Sequence, residues 1–106
     1  MRNIIFGMVH TKQSKSYTPY AVESFLKHTK IDNLKLYLID NDKDIKTILP
    51  NISTIKEITL IERESPHSFS QNANQLAKLA LEEKSDLFFL NNDIIFTNNW
   101  VSPFFF

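Results

Sequence analysis

The chain contains no cysteine in its 106 residues. That excludes disulfides, thiolate metal sites and cysteine nucleophiles, and it accords with a reducing compartment. Glycine occurs once, at Gly7. A Walker A loop and a dinucleotide fingerprint each need several glycines at fixed spacing, so neither phosphate cradle is present. No long apolar run exists to span a bilayer, and the apolar stretch in Met1-Arg2-Asn3-Ile4-Ile5-Phe6 is too short for a signal peptide. A cytoplasmic location is therefore expected. A charge excess is missing too: 12 Lys+Arg stand against 12 Asp+Glu, for a formal net charge of zero. Such a balance gives no general attraction to nucleic acid or to an anionic membrane.

Hydrophobic residues make up 42% of the chain, enough for one core at this length, so a single domain over 1–106 is expected. The last residues are Trp100-Val101-Ser102-Pro103-Phe104-Phe105-Phe106. Aromatic side chains in that number are costly to leave in water. They are expected to pack on this domain, on a second copy in a homo-oligomer through Trp100–Phe106, or on residues lost from a longer ancestor.

Apolar patterning alternates between two periods. Ile4 to Val9, Leu34 to Ile39, Ile55 to Ile61 and Leu87 to Leu90 are short apolar runs that read as strands, with Ile94 to Phe96 a short fifth. Thr18-Pro19 reads as an N-cap followed by proline at the first helical position, and Ala21, Val22, Phe25 and Leu26 form an apolar face behind it. Asp44 to Leu49 reads as a short helix stopped by Pro50. Ser68 or Ser70 caps the next helix, lined on one side by Phe69, Ala73, Leu76, Ala77 and Ala80. Strand and helix alternate along the chain. The expected fold class is α/β, a three-layer Rossmann-like arrangement with an open, mostly parallel sheet and helices on both faces.

The polar residues fall at telling places. His10-Thr11 follows the first strand, Asp40-Asn41-Asp42 the second and Asn91-Asn92-Asp93 the fourth. In a parallel sheet all three turns lie at the carboxyl ends of the strands, where open α/β sheets bind ligands. Asp86-Leu87-Phe88-Phe89-Leu90-Asn91-Asn92-Asp93 stands out, an apolar strand running straight into a polar cluster that ends in a carboxylate.

Taken in order, these segments resemble the amino-terminal half of inverting glycosyltransferases of family 2, which have the GT-A fold. The residues that carry the likeness are Leu36-Tyr37-Leu38-Ile39-Asp40-Asn41, the helix segment from Ser68 to Ala77, the strand and turn from Asp86 to Asp93, and Thr97-Asn98-Asn99-Trp100. The resemblance covers nearly the whole chain but about half of such an enzyme's usual length. It implies a truncated GT-A fold, with a donor half-site and no acceptor-binding half.

The resemblance also implies roles. Asp93, with Asn91 in the first position of a D-x-D-type motif, would coordinate Mg²⁺ or Mn²⁺ on the diphosphate of a nucleotide-diphospho-sugar, expected to be UDP-linked. Asn91 offers a neutral oxygen where the motif has a carboxylate. Asp40 would accept a hydrogen bond from the donor's base, Thr11 and His10 would lie near the nucleoside, and Asn92 and Asn74 would orient the diphosphate. Each residue has a plainer reading. Asp93 and Asp40 also suit a turn or a helix cap, and Asn74 a structural bond near its helix start. His10, by type a candidate general base, also fits a loop histidine without a role. His28 and His67 show no metal-ligand spacing. The family's catalytic base is an acidic residue well beyond the motif, whereas Ile94 to Phe106 contain no Asp or Glu. No catalytic residue is therefore assigned. The chain reads as a donor-binding part, as a non-catalytic α/β binding or assembly module, or, last, as another α/β enzyme of the phosphoryl-transfer kind using Asp40 or Asp93.

Overall fold

Seven regular elements alternate in a computed structural model that describes residues 3–104: β1 (Asn3–His10), α1 (Thr18–His28), β2 (Leu36–Asp40), α2 (Ile45–Ile48), β3 (Ile58–Glu62), α3 (Phe69–Glu82) and β4 (Ser85–Leu90). The four strands form one all-parallel sheet in the order β3-β2-β1-β4. The chain steps outward from β1 to β2 to β3, then returns across the sheet to β4. Right-handed crossovers in opposite directions must use opposite faces. Accordingly α1 and α2 cover one face, where Phe6, Met8, Leu36 and Leu38 meet Phe25 and Ile45. α3 covers the other, where Leu76 and Ala80 meet Ile5, Tyr37 and Ile39. The expected three-layer α/β architecture is present.

Burial follows strand position. β2 is buried along its whole length, as a central strand covered on both faces should be. Gly7 lies under α3, and a Cβ placed on it would sit 2.7 Å from Cδ1 of Leu76. The single glycine thus serves close approach of helix to sheet; its φ is not positive. α3 opens with a capping box. The Ser68 side chain accepts from the Gln71 N–H at 3.1 Å, and the Gln71 side chain accepts from the Ser68 N–H at 2.8 Å.

Several details depart from the sequence pattern. Ile94 to Phe96 is not a strand; Phe96 is instead buried on the α1 face, with its N–H donating to Ser24 Oγ at 2.9 Å. A strand there would have to leave this aromatic cluster. β3 begins at Ile58, because residues 52–54 first make a 3-10 turn. The buried side of α3 is Asn72, Leu76 and Ala80; Ala77 is exposed and Phe69 is 72% exposed. Tyr17, not Thr18, occupies the cap position of α1, and Pro19 lies in its first turn.

The aromatic end is partly answered. Phe96 and Trp100 have ring centroids 4.8 Å apart, and both join Phe25 on the α1 face. The Trp100 Nε1–H donates to Thr29 Oγ1 at 2.7 Å, and Val101 is buried. Trp100 and Val101 therefore pack on this domain. The oligomer expected through Trp100–Phe106 falls partly on Phe105 and Phe106, which lie outside the described residues.

Candidate functional site

Parallel pairing settles where the polar turns sit. His10 is level with Asp40, and the pairing of Met8 with Leu90 brings residues 91–92 level with the end of β1. The turns after β1, β2 and β4 share the carboxyl edge. Strand order reverses between β1 and β4, and Asn92 closes that gap: its Nδ2 donates to the Val9 carbonyl at 3.0 Å and to Thr18 Oγ1 at 3.2 Å.

Beneath the edge runs a buried polar chain. His10 is fully buried as the last residue of β1, not a loop histidine. Its Nε2 lies 2.8 Å from Asp44 Oδ1 and its Nδ1 2.7 Å from Thr18 Oγ1. A carboxylate only accepts, so Nε2–H donates to Asp44; in the neutral imidazole Nδ1 then accepts from the Thr18 hydroxyl. Asn92, Thr18, His10 and Asp44 thus form a directional series joining the ends of β4, β1 and β2. His10 is shielded from any ligand.

Asp40 is equally enclosed. At 0% exposure, its Oδ1 accepts from the Asp44 N–H at 3.2 Å and its Oδ2 from the Ile45 N–H at 2.8 Å. Asp44 is the N-cap residue of the short α2 and makes no side-chain cap bond of its own; the Asp40 carboxylate caps the helix start in its place and holds the following loop, which is the plainer of its two expected roles. Asp42 ties the neighbouring loop down by accepting from the Lys12 N–H at 2.7 Å. Asn41, largely unassigned by the sequence, clamps the loop after β3. Its Oδ1 accepts from the His67 N–H at 2.8 Å and its Nδ2 donates to the His67 carbonyl at 3.1 Å.

What remains open to solvent is the turn after β4. Asn91 and Asp93 are exposed, Asn92 is half-buried, and Thr11 is half-buried at the end of β1. Asn74 is exposed on α3, two residues past the buried Asn72. The edge therefore gathers Thr11, Asp40, Asn91, Asn92 and Asp93, with Asp40 inside and Asp93 outside.

Two sets of residues among those described carry donor atoms suited to a cation. His10, Asp40 and Asp44 have ligand atoms within 4.8 Å of one another. Those atoms already bind each other and backbone N–H groups, so an ion there would have to break the network. Asn91 and Asp93 offer oxygens alone, the donor type a hard divalent cation prefers, and both are accessible.

No family model matches the chain, and no curated protein matches it.

The opposite, amino edge carries open volume but less convergent chemistry. Two depressions of about 760 and 800 Å³ flank the loop 29–35. No residue expected at the site lines either one. The one of about 760 Å³ is lined by Lys35 and Glu83, which with Tyr37 form a bonded cluster. Lys35 donates to Glu83 Oε1 at 2.9 Å, and the Tyr37 hydroxyl donates to Glu83 Oε2. The Tyr37 bond, aided by Lys35, holds the Glu83 carboxyl below its usual range. The bond to Glu83 raises Lys35, while burial and then the Glu83 bond raise Tyr37. This cluster ties the start of β2 to the end of α3. These hollows thus lie away from the carboxyl edge, where the polar turns converge.

Proposed function

We propose that the chain is the donor-binding part of a glycosyltransferase similar to those of inverting family 2, taking a nucleotide-diphospho-sugar, UDP-linked, at the carboxyl edge. The observation that carries this reading is the position of the Asn91-Asn92-Asp93 turn. Asn92 is bonded back to β1, so the turn is braced, while Asn91 and Asp93 stay open to solvent. Asn91 and Asp93 would hold Mg²⁺ or Mn²⁺, which when bound neutralises charge on the leaving nucleoside diphosphate. Thr11 and the loops pinned by Asp40, Asn41 and Asp42 would form the wall against the nucleoside. Transfer of the sugar needs an acceptor and a base from further chain or from a partner.

The test is calorimetric titration with UDP, with and without Mn²⁺. Binding should tighten with the metal, and Asp93→Ala should remove that tightening without changing the circular dichroism spectrum, because Asp93 is exposed. No binding at millimolar UDP, or the same metal dependence in Asp93→Ala, defeats the reading. The alternative of a non-catalytic assembly module draws on the exposed apolar residues Phe69, Phe89 and Ile95, the first two with ring centroids 5.5 Å apart. Light scattering that gives a dimer, together with no nucleotide binding, would favour it.

A further inference from the structure

The junction of β3 and α3 holds a cation that the donor-binding reading leaves unused. Arg63 directly follows β3, and its N–H donates to the Asp40 carbonyl at 3.0 Å, which places it on the carboxyl edge. Its Nε and Nη2 both donate to Oδ1 of Asn72, at 3.1 and 3.0 Å. Asn72 is 1% exposed, and its own Nδ2 donates to Asn41 Oδ1 at 3.2 Å. A buried, braced amide thus grips one side of a half-buried guanidinium.

An amide supplies no countercharge. The flanking carboxylates are engaged elsewhere: Glu62 pairs with Lys46 at 3.2 Å and Glu64 with Lys43 at 3.4 Å. Asp40 turns to the opposite face, toward α2. Among the described residues Arg63 forms no ion pair. A guanidinium has five N–H groups. Asn72 takes the pair on one edge, which leaves Nη1 and the outer Nη2 hydrogen as a second parallel fork. That fork matches two oxygens of a phosphate or carboxylate. The grip of Asn72 also orders the side chain beforehand, so little further ordering is needed on binding.

We infer that Arg63 is an anion-binding residue of this edge, presenting its outer fork to a phosphoryl group of the bound nucleotide, with Asn72 as its positioning residue. The choice of a nucleotide's phosphoryl group rests on the donor-binding reading; the fork itself needs only an oxyanion.

Inorganic pyrophosphate, which has neither base nor sugar, separates the two ideas when titrated without metal beside UDP. In the wild-type chain, pyrophosphate should shift the Arg63 Nε–H resonance in ¹⁵N NMR. Arg63→Gln should weaken both ligands by about tenfold or more, the scale of a lost hydrogen bond to a charged group. Arg63→Lys, which keeps the charge without the fork, should recover only part of that. An unmoved Nε–H resonance at millimolar pyrophosphate overturns the inference, as does wild-type binding by a folded Arg63→Gln. If the variants fail to fold, the wild-type resonance alone decides. UDP binding that depends on Asp93 but leaves Arg63 untouched sinks this inference and spares the donor reading. Pyrophosphate that engages Arg63 while UDP binds no better does the reverse.

Discussion

Replacing Asp40 with alanine separates a structural carboxylate from a ligand-binding one. Both of its oxygens are inside, one accepting from the Asp44 N–H at 3.2 Å and one from the Ile45 N–H at 2.8 Å. Ile45 is fully buried, so its N–H finds no water when the acceptor is removed. An unmet buried donor costs about 1–3 kcal/mol, and a lost helix cap about 0.5–2 kcal/mol. These overlap here, because the capping bonds are the same bonds. The longer bond, from the less buried Asp44, adds the smaller share. Asp40→Ala should therefore lose about 1–3 kcal/mol, a sizeable part of the roughly 5–15 kcal/mol that holds a domain together. For a chain of this size, each kcal/mol moves Tm by about 4–8 °C. Asp40→Asn keeps one acceptor for the Ile45 N–H and should lose about half as much. Urea unfolding followed by circular dichroism, without nucleotide and with m-values compared, measures both. Asp40→Ala within about 0.5 kcal/mol of wild type would refute the assignment of Asp40 as a cap. The folded Asp40→Asn should also bind UDP as wild type does, since the side chain does not reach the surface.

Two further outcomes follow from packing and from acidity. Gly7→Ala places a methyl 2.7 Å from a fully buried Leu76, so it should cost about 1–3 kcal/mol in urea unfolding; Leu76→Ala in the same chain should relieve the clash. The Glu83 carboxyl is held low, so its contribution is complete above the unfolded glutamate value, about pH 4.3, and is lost as pH falls through the lower folded value. Lys35 and Tyr37 are raised, so theirs is complete below about pH 10 and is lost as pH rises through the folded values. Exposure of Lys35 and Glu83 keeps each effect within about 1 kcal/mol. Tyr37→Phe should flatten both limbs of the stability-pH curve, and unchanged limbs would refute the coupling.

Much of the fold was legible because it is written in period and punctuation. The four strands that formed are short apolar runs ending in polar residues, and Ser68, one of two candidate caps, does open α3. Ile94 to Phe96 misled because an apolar triplet looks the same as a strand or as an irregular segment pressed on a core. Contact with Phe25 and Ser24, far away in the chain, decided between them. Phe69 and Ala77 misled because helical spacing shows that a stripe exists without showing its edges.

The site divided in the same way. The chain order of apolar runs and polar turns, with one glycine and no cysteine, was enough to set the α/β class, to exclude glycine-rich phosphate loops and to gather three polar turns on one edge. Only the folded structure decided which of those side chains face outward: Asp40 and His10 in, Asn91 and Asp93 out. It also paired His10 with Asp44 across 34 residues, and Arg63 with Asn72. The reason is physical. Periodicity along a strand or helix is a local property of the backbone, whereas burial and hydrogen-bond partnership of a polar side chain depend on which distant segments come to lie beside it.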